Sequence, residues 1–174
     1  DYIVVGNNQL VSQSIALVQG WNLISLYLQP TNTGISSVFN SVSAYLEEVR
    51  NSNSSYIASY PPFLNTLQNV EDGKGYWVKV TQNCILTVSG TLVDRNNTTL
   101  ALTNGWNLVG YLDTQPTALT TALSGISGTL LEARHLQYSY NSSYPSFLNS
   151  LINLESGKGY YIKVNANTNL IYNY

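Results

Sequence analysis

The sequence predicts a mainly β protein built as two tandem homologous domains, each copy a β-sandwich or small mixed sheet carrying one or two short helices. Three observations predict it. Blocks of sequence recur in order at a near-constant spacing. Short runs rich in β-branched and aromatic residues are bounded by Gly, Asn, Ser and Pro. Finally, 44% of the 174 residues are hydrophobic and only 9% are charged, against roughly 25% charged in average soluble domains. The chain therefore has the means to bury a core, and it lacks the charge of a disordered tail.

The repeat is read from the chain itself. Gly20-Trp21-Asn22-Leu23-Ile24 recurs as Gly105-Trp106-Asn107-Leu108-Val109. Tyr60-Pro61-Pro62-Phe63-Leu64-Asn65 recurs as Tyr144-Pro145-Ser146-Phe147-Leu148-Asn149. Glu71 to Val80, with Gly73-Lys74-Gly75-Tyr76-Trp77 inside it, recurs as Glu155 to Val164. The offset is 84 or 85 residues throughout, longer than a solenoid repeat and long enough for a small domain. We place the first domain at 1–90 with an N-terminal linker-like strand. The second, at 91–174, ends in a partial version of the same linker strand. An end-to-end arrangement is favoured slightly over side-by-side packing.

The elements of one copy follow in order. Leu23 to Leu28 reads as a strand, nearly all apolar. Ile35, Val38, Phe39 and Val42 then fall at helical spacing, as do Leu119, Ala122, Leu123 and Ile126. Thr33 and Thr117 are candidate N-caps. Ala44 to Val49 and Ser55 to Tyr60 are strand-like. A Pro-initiated short helix puts Phe63, Leu67 and Val70 on one side (Phe147, Leu151 and Leu154 in the second copy). Gly73 supplies a turn of positive φ into the strand Tyr76 to Val80. Alternation on that strand sets Tyr76, Val78 and Val80 on one face and Trp77 and Lys79 on the other. Asn83 to Ser89 forms a last strand that leads into a turn at Gly90.

The pairing of Gly20-Trp21-Asn22-Leu23-Ile24-Ser25 with Gly73-Lys74-Gly75-Tyr76-Trp77-Val78 resembles a repeat of secreted and surface-anchored proteins of bacteria and archaea. The resemblance covers both copies. It implies a tandem module in a surface protein and brings no catalytic residues with it. The second copy departs at Gly110 for Ser25 and at Tyr161 for Trp77, which reads as tolerated packing variation.

Composition narrows the function classes. A net charge of −2 leaves no footprint for nucleic acid or an anionic membrane, and no apolar stretch is long enough for a spanning helix. There is no Met, even at position 1. That points to an N-terminus lost to processing, a removed secretion signal being the common reason and a trimmed chain the other. Sequons at Asn53, Asn96, Asn97 and Asn141 are candidate glycosylation sites. Cys84, the one cysteine, lies in an apolar run and reads as a small buried hydrophobe. His135, the one histidine, reads as a surface or strand residue. No nucleophile–base set, metal-ligand cluster or cofactor motif stands out, so the chain reads as non-enzymatic, with no catalytic, cofactor or metal residues. The Glu48/Arg50 and Glu132/Arg134 pairs share a strand face at i and i+2 and read as repeated structural ion pairs.

The first functional reading is an extracellular structural protein: a subunit of a surface filament, pilus-like fibre or cell-surface layer, adhesive in one form. Its partners would be further copies head to tail, or neighbouring surface domains. Tyr2, Ile3, Val4 and Val5 form an apolar, β-prone segment that would either add to a sheet of the next subunit or pair within the first copy. The alternative is a carbohydrate-binding module, with Tyr76, Trp77, Tyr160 and Tyr161 as the aromatic contact surface. The Gly-Trp-Asn tryptophans Trp21 and Trp106 read as core. A solvent-facing row of aromatics favours glycan binding, and a buried one favours a scaffold.

Overall fold

The computed structural model describes residues 9–174. The chain is mainly β, with several antiparallel sheets and two short α-helices among the described residues. The first half contains β1 (Val11–Leu17), β2 (Gly20–Ser25), β3 (Leu28–Pro30), α1 (Ile35–Val38), β4 (Leu46–Arg50), β5 (Ser55–Ile57), β6 (Gly75–Val80) and β7 (Cys84–Leu92). The second contains β8 (Leu100–Leu102), β9 (Gly105–Gly110), β10 (Thr117–Ala118), α2 (Leu119–Ala122), β11 (Leu130–His135), β12 (Tyr138–Asn141), β13 (Asn153–Leu154), β14 (Gly159–Val164) and β15 (Thr168–Leu170). The segment Tyr2 to Val5 lies outside the described residues.

Each half centres on a four-stranded antiparallel sheet, ordered β2-β6-β4-β5 in one and β9-β14-β11-β12 in the other. The registers match. Gly20 lies opposite Val80 and Ser25 opposite Gly75; Gly105 lies opposite Val164 and Gly110 opposite Gly159. The same irregularity falls between Leu46 and Glu48 and between Leu130 and Glu132. In the first half β7 is flanked by β1 and β3; in the second β15 pairs with β8.

The helical stripes pack as their spacing requires. Ile35, Val38, Phe39 and Val42 are buried with Tyr76, Val78 and Val80 in one core. Leu119, Ala122, Leu123 and Ile126 are buried with Tyr160, Ile162 and Val164 in the other. Each α-helix is a single turn continued by a 3₁₀ turn. Neither Thr33 nor Thr117 caps it: the N-cap positions are Gly34 and Ala118, with no side-chain cap bond. The Ile35 and Leu119 amides instead donate to the carbonyls of Gln68 and Ile152, so a neighbouring segment satisfies the helix end.

The recurring Gly-Trp-Asn motif is turn chemistry. Gly20 and Gly105 take φ of +92° and +100°, values that favour glycine. The Asn22 side chain then closes the turn: its Oδ1 accepts from the Val18 amide at 2.9 Å, and its Nδ2 donates to the Val18 and Gly20 carbonyls. Asn107 makes the same bonds with Thr103 and Gly105. With Asn22 and Ile24 turned inward, alternation puts Trp21 outward. Gly90 is not a turn. It lies within β7 between Val11 and Pro30, and a Cβ there would sit 2.1 Å from the Gln29 carbonyl oxygen.

The two halves pack against each other by exchanged contacts, as across a two-fold axis, rather than end to end. The Ser25 amide donates to Gly157 O at 2.9 Å, and the Gly110 amide donates to Gly73 O at 2.8 Å. A Cβ on Gly159 would lie 2.7 Å from Ile24 O, and one on Gly75 would lie 2.8 Å from Val109 O. Gly73, at φ +70°, is pressed on Leu100 of the other half. The Gly-Lys-Gly turn of each half is therefore a contact made on the other half.

Gly159→Ala should cost about 2 kcal/mol in urea unfolding, the order expected for overpacking. Gly128→Ala, at a position with open space around it, should be near neutral.

Candidate functional site

The outer faces of the two sheets carry the chain's most distinctive surface. On β2 and β6 this face holds Trp21, Trp77 and Lys79, and on β4 it holds Glu48 and Arg50, which stand opposite Lys79 and Trp77. On β9, β14 and β11 the matching positions are Trp106, Tyr161, Lys163, Glu132 and Arg134. Trp21 meets Trp77 edge to face at 6.2 Å, and Trp106 meets Tyr161 edge to face at 6.4 Å. Such tilted pairs are the arrangement aromatic quadrupoles prefer. The halves are joined within this row, because the Trp77 indole N–H donates to the Tyr161 hydroxyl at 3.0 Å. The result is a continuous strip, Trp21–Trp77–Tyr161–Trp106. Leu23 and Leu108 are buried beside the junction glycines.

This placement corrects two readings. Trp21 and Trp106 are not core: they are 38% and 42% exposed. Tyr76 and Tyr160 do not belong to the contact surface. They are buried, and their hydroxyls accept from the Glu71 and Glu155 amides at 2.7 Å. Burial pushes the Tyr76 phenol up to about 12 and raises Tyr160 as well. Trp77 and Tyr161 stand on the outer face, as alternation requires.

Cations cover part of the strip. The Arg50 guanidinium lies 5.2 Å from the Trp21 ring centre, and Arg134 lies 5.0 Å from that of Trp106, within cation–π range. Each is tied down along its own strand, Arg50 to Glu48 and Arg134 to Glu132. Lys163 also reaches Glu132, at 3.3 Å, and Lys79 reaches Glu47, at 3.1 Å. The hydrogen bond from Arg134 holds the Glu132 carboxyl below its usual range, opposed by partial desolvation and helped by Lys163. These pairs stabilise little by themselves. Four cations meet three carboxylates, so most of the charge is paired and the strip is aromatic with one positive charge in excess.

Two clefts flank the junction in equivalent positions. The first, about 470 Å³, is lined by Asn51, Asn53, Lys74, Thr103, Trp106 and Asn107 among others. The second, about 380 Å³, is lined by Gln13, Asn22, Ile24, His135, Leu136 and Lys158 among others. The sequence reading missed both, since each is made where one half's hairpin faces the other half's strand.

The remaining candidate residues are dispersed. Asn53, Asn96 and Asn97 are exposed, and Asn141 is half-buried. Asn53 lines the first cleft, and Asn97 donates to Asp94 at 2.7 Å. Cys84 is half-buried against the first core, where desolvation raises its thiol and makes it a poorer nucleophile. His135 is a strand residue but a buried one. Its Nδ1 lies 2.8 Å from the Gly159 carbonyl, and its ring is 5.3 Å from Tyr160. Burial lowers its pKa, with the Lys158 charge adding to this and the Gly159 carbonyl and Glu155 opposing it. Among the described residues no group of three or more His, Cys, Asp or Glu side chains gathers to hold a metal, and no helix is long and apolar enough to cross a membrane. No family model, curated protein or solved structure matches the chain.

Two outcomes follow from this geometry. Because His135 has a lowered folded pKa, the unfolded chain binds the extra proton first. Stability should fall as the pH drops below the ordinary histidine value of 6.5, and it should level off below the folded pKa. His135→Asn, which installs the residue the first half carries at Asn51, should flatten that part of a thermal-melt pH series. Tyr161→Phe should remove the Trp77 hydrogen bond, cost about 1 kcal/mol and shift tryptophan emission.

Proposed function

We propose that the chain is a non-catalytic extracellular module of a surface or secreted protein, structural and adhesive in type, that holds neutral glycans along its aromatic strip. The observation that carries this is the outward row Trp21–Trp77–Tyr161–Trp106, continuous across both halves through the Trp77–Tyr161 hydrogen bond. Sugar rings present apolar C–H faces and a rim of hydroxyls. An aromatic face flanked by amides answers both, and Trp106 stands beside Asn51, Asn53, Thr103 and Asn107 in the first cleft. Surfaces rich in Tyr, Asn and Ser with Trp and Arg anchors give adaptable hydrogen bonding at low entropic cost. The cations are already held by Glu47, Glu48 and Glu132, which favours a neutral ligand over an anionic one.

The two functional readings of the sequence part here. An outward row favours the glycan reading over a bare scaffold, while the strand-donation reading rests on Tyr2 to Val5, outside the described residues. Location outside the cell comes with the glycan reading, supported by the low charge and the sequons.

The experiment is a screen of soluble neutral polysaccharides and oligosaccharides by tryptophan fluorescence and calorimetry. At least one should bind and perturb emission. Trp106→Ala should weaken it about tenfold, the scale of one aromatic contact, and leave the fold intact by circular dichroism. No binding across the panel, or undiminished binding in the Trp21→Ala/Trp106→Ala double variant, overturns the proposal.

A further inference from the structure

A second surface recurs in both halves, well away in sequence from the strip. Phe63 and Phe147 are 83% and 82% exposed, and Tyr60, Leu64, Tyr144 and Leu148 are exposed beside them. The expected Pro-initiated short helix is a single 3₁₀ turn, and Phe63 does not share a face with Leu67 and Val70. Pro61 enters extended, at φ −53° and ψ 142°, and a 3₁₀ turn over Pro62–Leu64 turns the ring to solvent while Leu67 and Val70 are buried.

These tips are built, not frayed. Asn65 Oδ1 accepts the Ile57 amide at 2.8 Å, and the Leu67 amide donates to Ser55 O at 3.0 Å. Asn149 and Leu151 make the same bonds with Asn141 and Ser139, at 2.8 and 2.9 Å. Each tip is thus pinned to its own hairpin, and none of the described residues covers the apolar side chain it presents.

The occupant is constrained by three features. The stretches 51–70 and 136–154 contain no Asp, Glu, Lys or Arg, so no charge on a tip selects an ionic partner or a charged lipid surface. Beside Phe63 lies a recess of about 140 Å³ lined by Ile35, Tyr56, Tyr60, Pro62 and Leu67 with uncharged polar neighbours. Knob and recess therefore share one uncharged surface, which is the self-complementarity an isologous contact needs. The tip sequences also match each other, so a surface that accepts one accepts the other.

We propose that each tip docks on the tip of a second copy of this chain. With two tips per chain, such contacts do not close on a dimer; they link copies into open chains. A contact this small is a weak one, and association grows with concentration.

The test is sedimentation velocity of the full chain over a concentration series to the millimolar range. Wild type should grow past the dimer. Phe63→Ser alone or Phe147→Ser alone should stop at the dimer, and the double variant should stay monomeric. Both residues are exposed, so melting temperatures should hold. Wild type that stays monomeric throughout overturns the proposal, as does a double variant that associates like wild type. Association that survives in the double variant and is lost on removing residues 1–8 assigns the contact to the N-terminal segment and also overturns it. So does a monomeric wild type that binds phosphatidylcholine vesicles through Phe63 and Phe147.

Discussion

The close approach of two backbones at the junction is the constraint on which the rest depends. Gly75, Gly110 and Gly159 each lie against a main-chain oxygen of the other half at a distance no side chain tolerates. That approach lets the Ser25 and Gly110 amides find carbonyls across the boundary, so polar groups buried there are satisfied. Among the described residues no buried side-chain N or O atom lacks a partner. The same approach fixes how the sheets face each other. It brings Trp77 within hydrogen-bond reach of Tyr161, and it leaves a cleft on either side. Widen the junction by a methyl group and the strip, the clefts and the interlocked Gly-Lys-Gly turns all shift together.

Recognition on this surface works with little charge. Among the described residues six of the seven cations sit in ion pairs, and Lys74 lines the first cleft. The low charged fraction is spent on local pinning of arginine over tryptophan and of lysine beside glutamate, and little remains to project a field. What faces solvent is aromatic edges and faces, amides and hydroxyls. Such a surface selects partners by shape and hydrogen bonding, and salt should affect it weakly.

Much of this was legible in the sequence, where a short-range rule governs. Period-two alternation set Tyr76 and Trp77 on opposite faces of one strand, which already conflicts with reading both as contact surface, and helical spacing picked out Ile35, Val38, Phe39 and Val42 as one stripe, which is buried. The need for positive φ marked Gly73. Readings failed where a specific turn geometry or a non-local contact decided. Trp21 reads as core by its composition, yet the Asn22 turn clamp sets the phase of β2 and sends it outward. Gly90 reads as a turn, yet it is the place where β7 is squeezed between β1 and β3. Phe63 reads as part of a helical face, yet Pro61 and the Asn65 clamp hold it in a 3₁₀ turn. The clefts and the strip's continuity belong to the junction, and nothing local encodes how two halves meet.

The same junction explains two of the departures between the repeated blocks, Gly110 for Ser25 and Tyr161 for Trp77, which the sequence alone reads as tolerated variation. Ser25 and Gly110 occupy equivalent positions and face each other: a Cβ on Gly110 would lie 2.8 Å from that of Ser25. Only one of the pair can carry a side chain. The one that does uses its hydroxyl to donate to Lys158 O at 2.7 Å and to accept from the Tyr111 amide at 3.2 Å. Trp77 and Tyr161 obey a similar exclusion. An indole offers a donor and no acceptor, so two tryptophans at these positions could not hydrogen-bond to each other, whereas tryptophan and tyrosine can. Two serines at the first pair would clash, and two tryptophans at the second would have no acceptor between them. At both sites the residues differ between the halves, and each difference goes with polar bonds made across the boundary: Ser25 with Lys158 and Tyr111, and Trp77 with Tyr161.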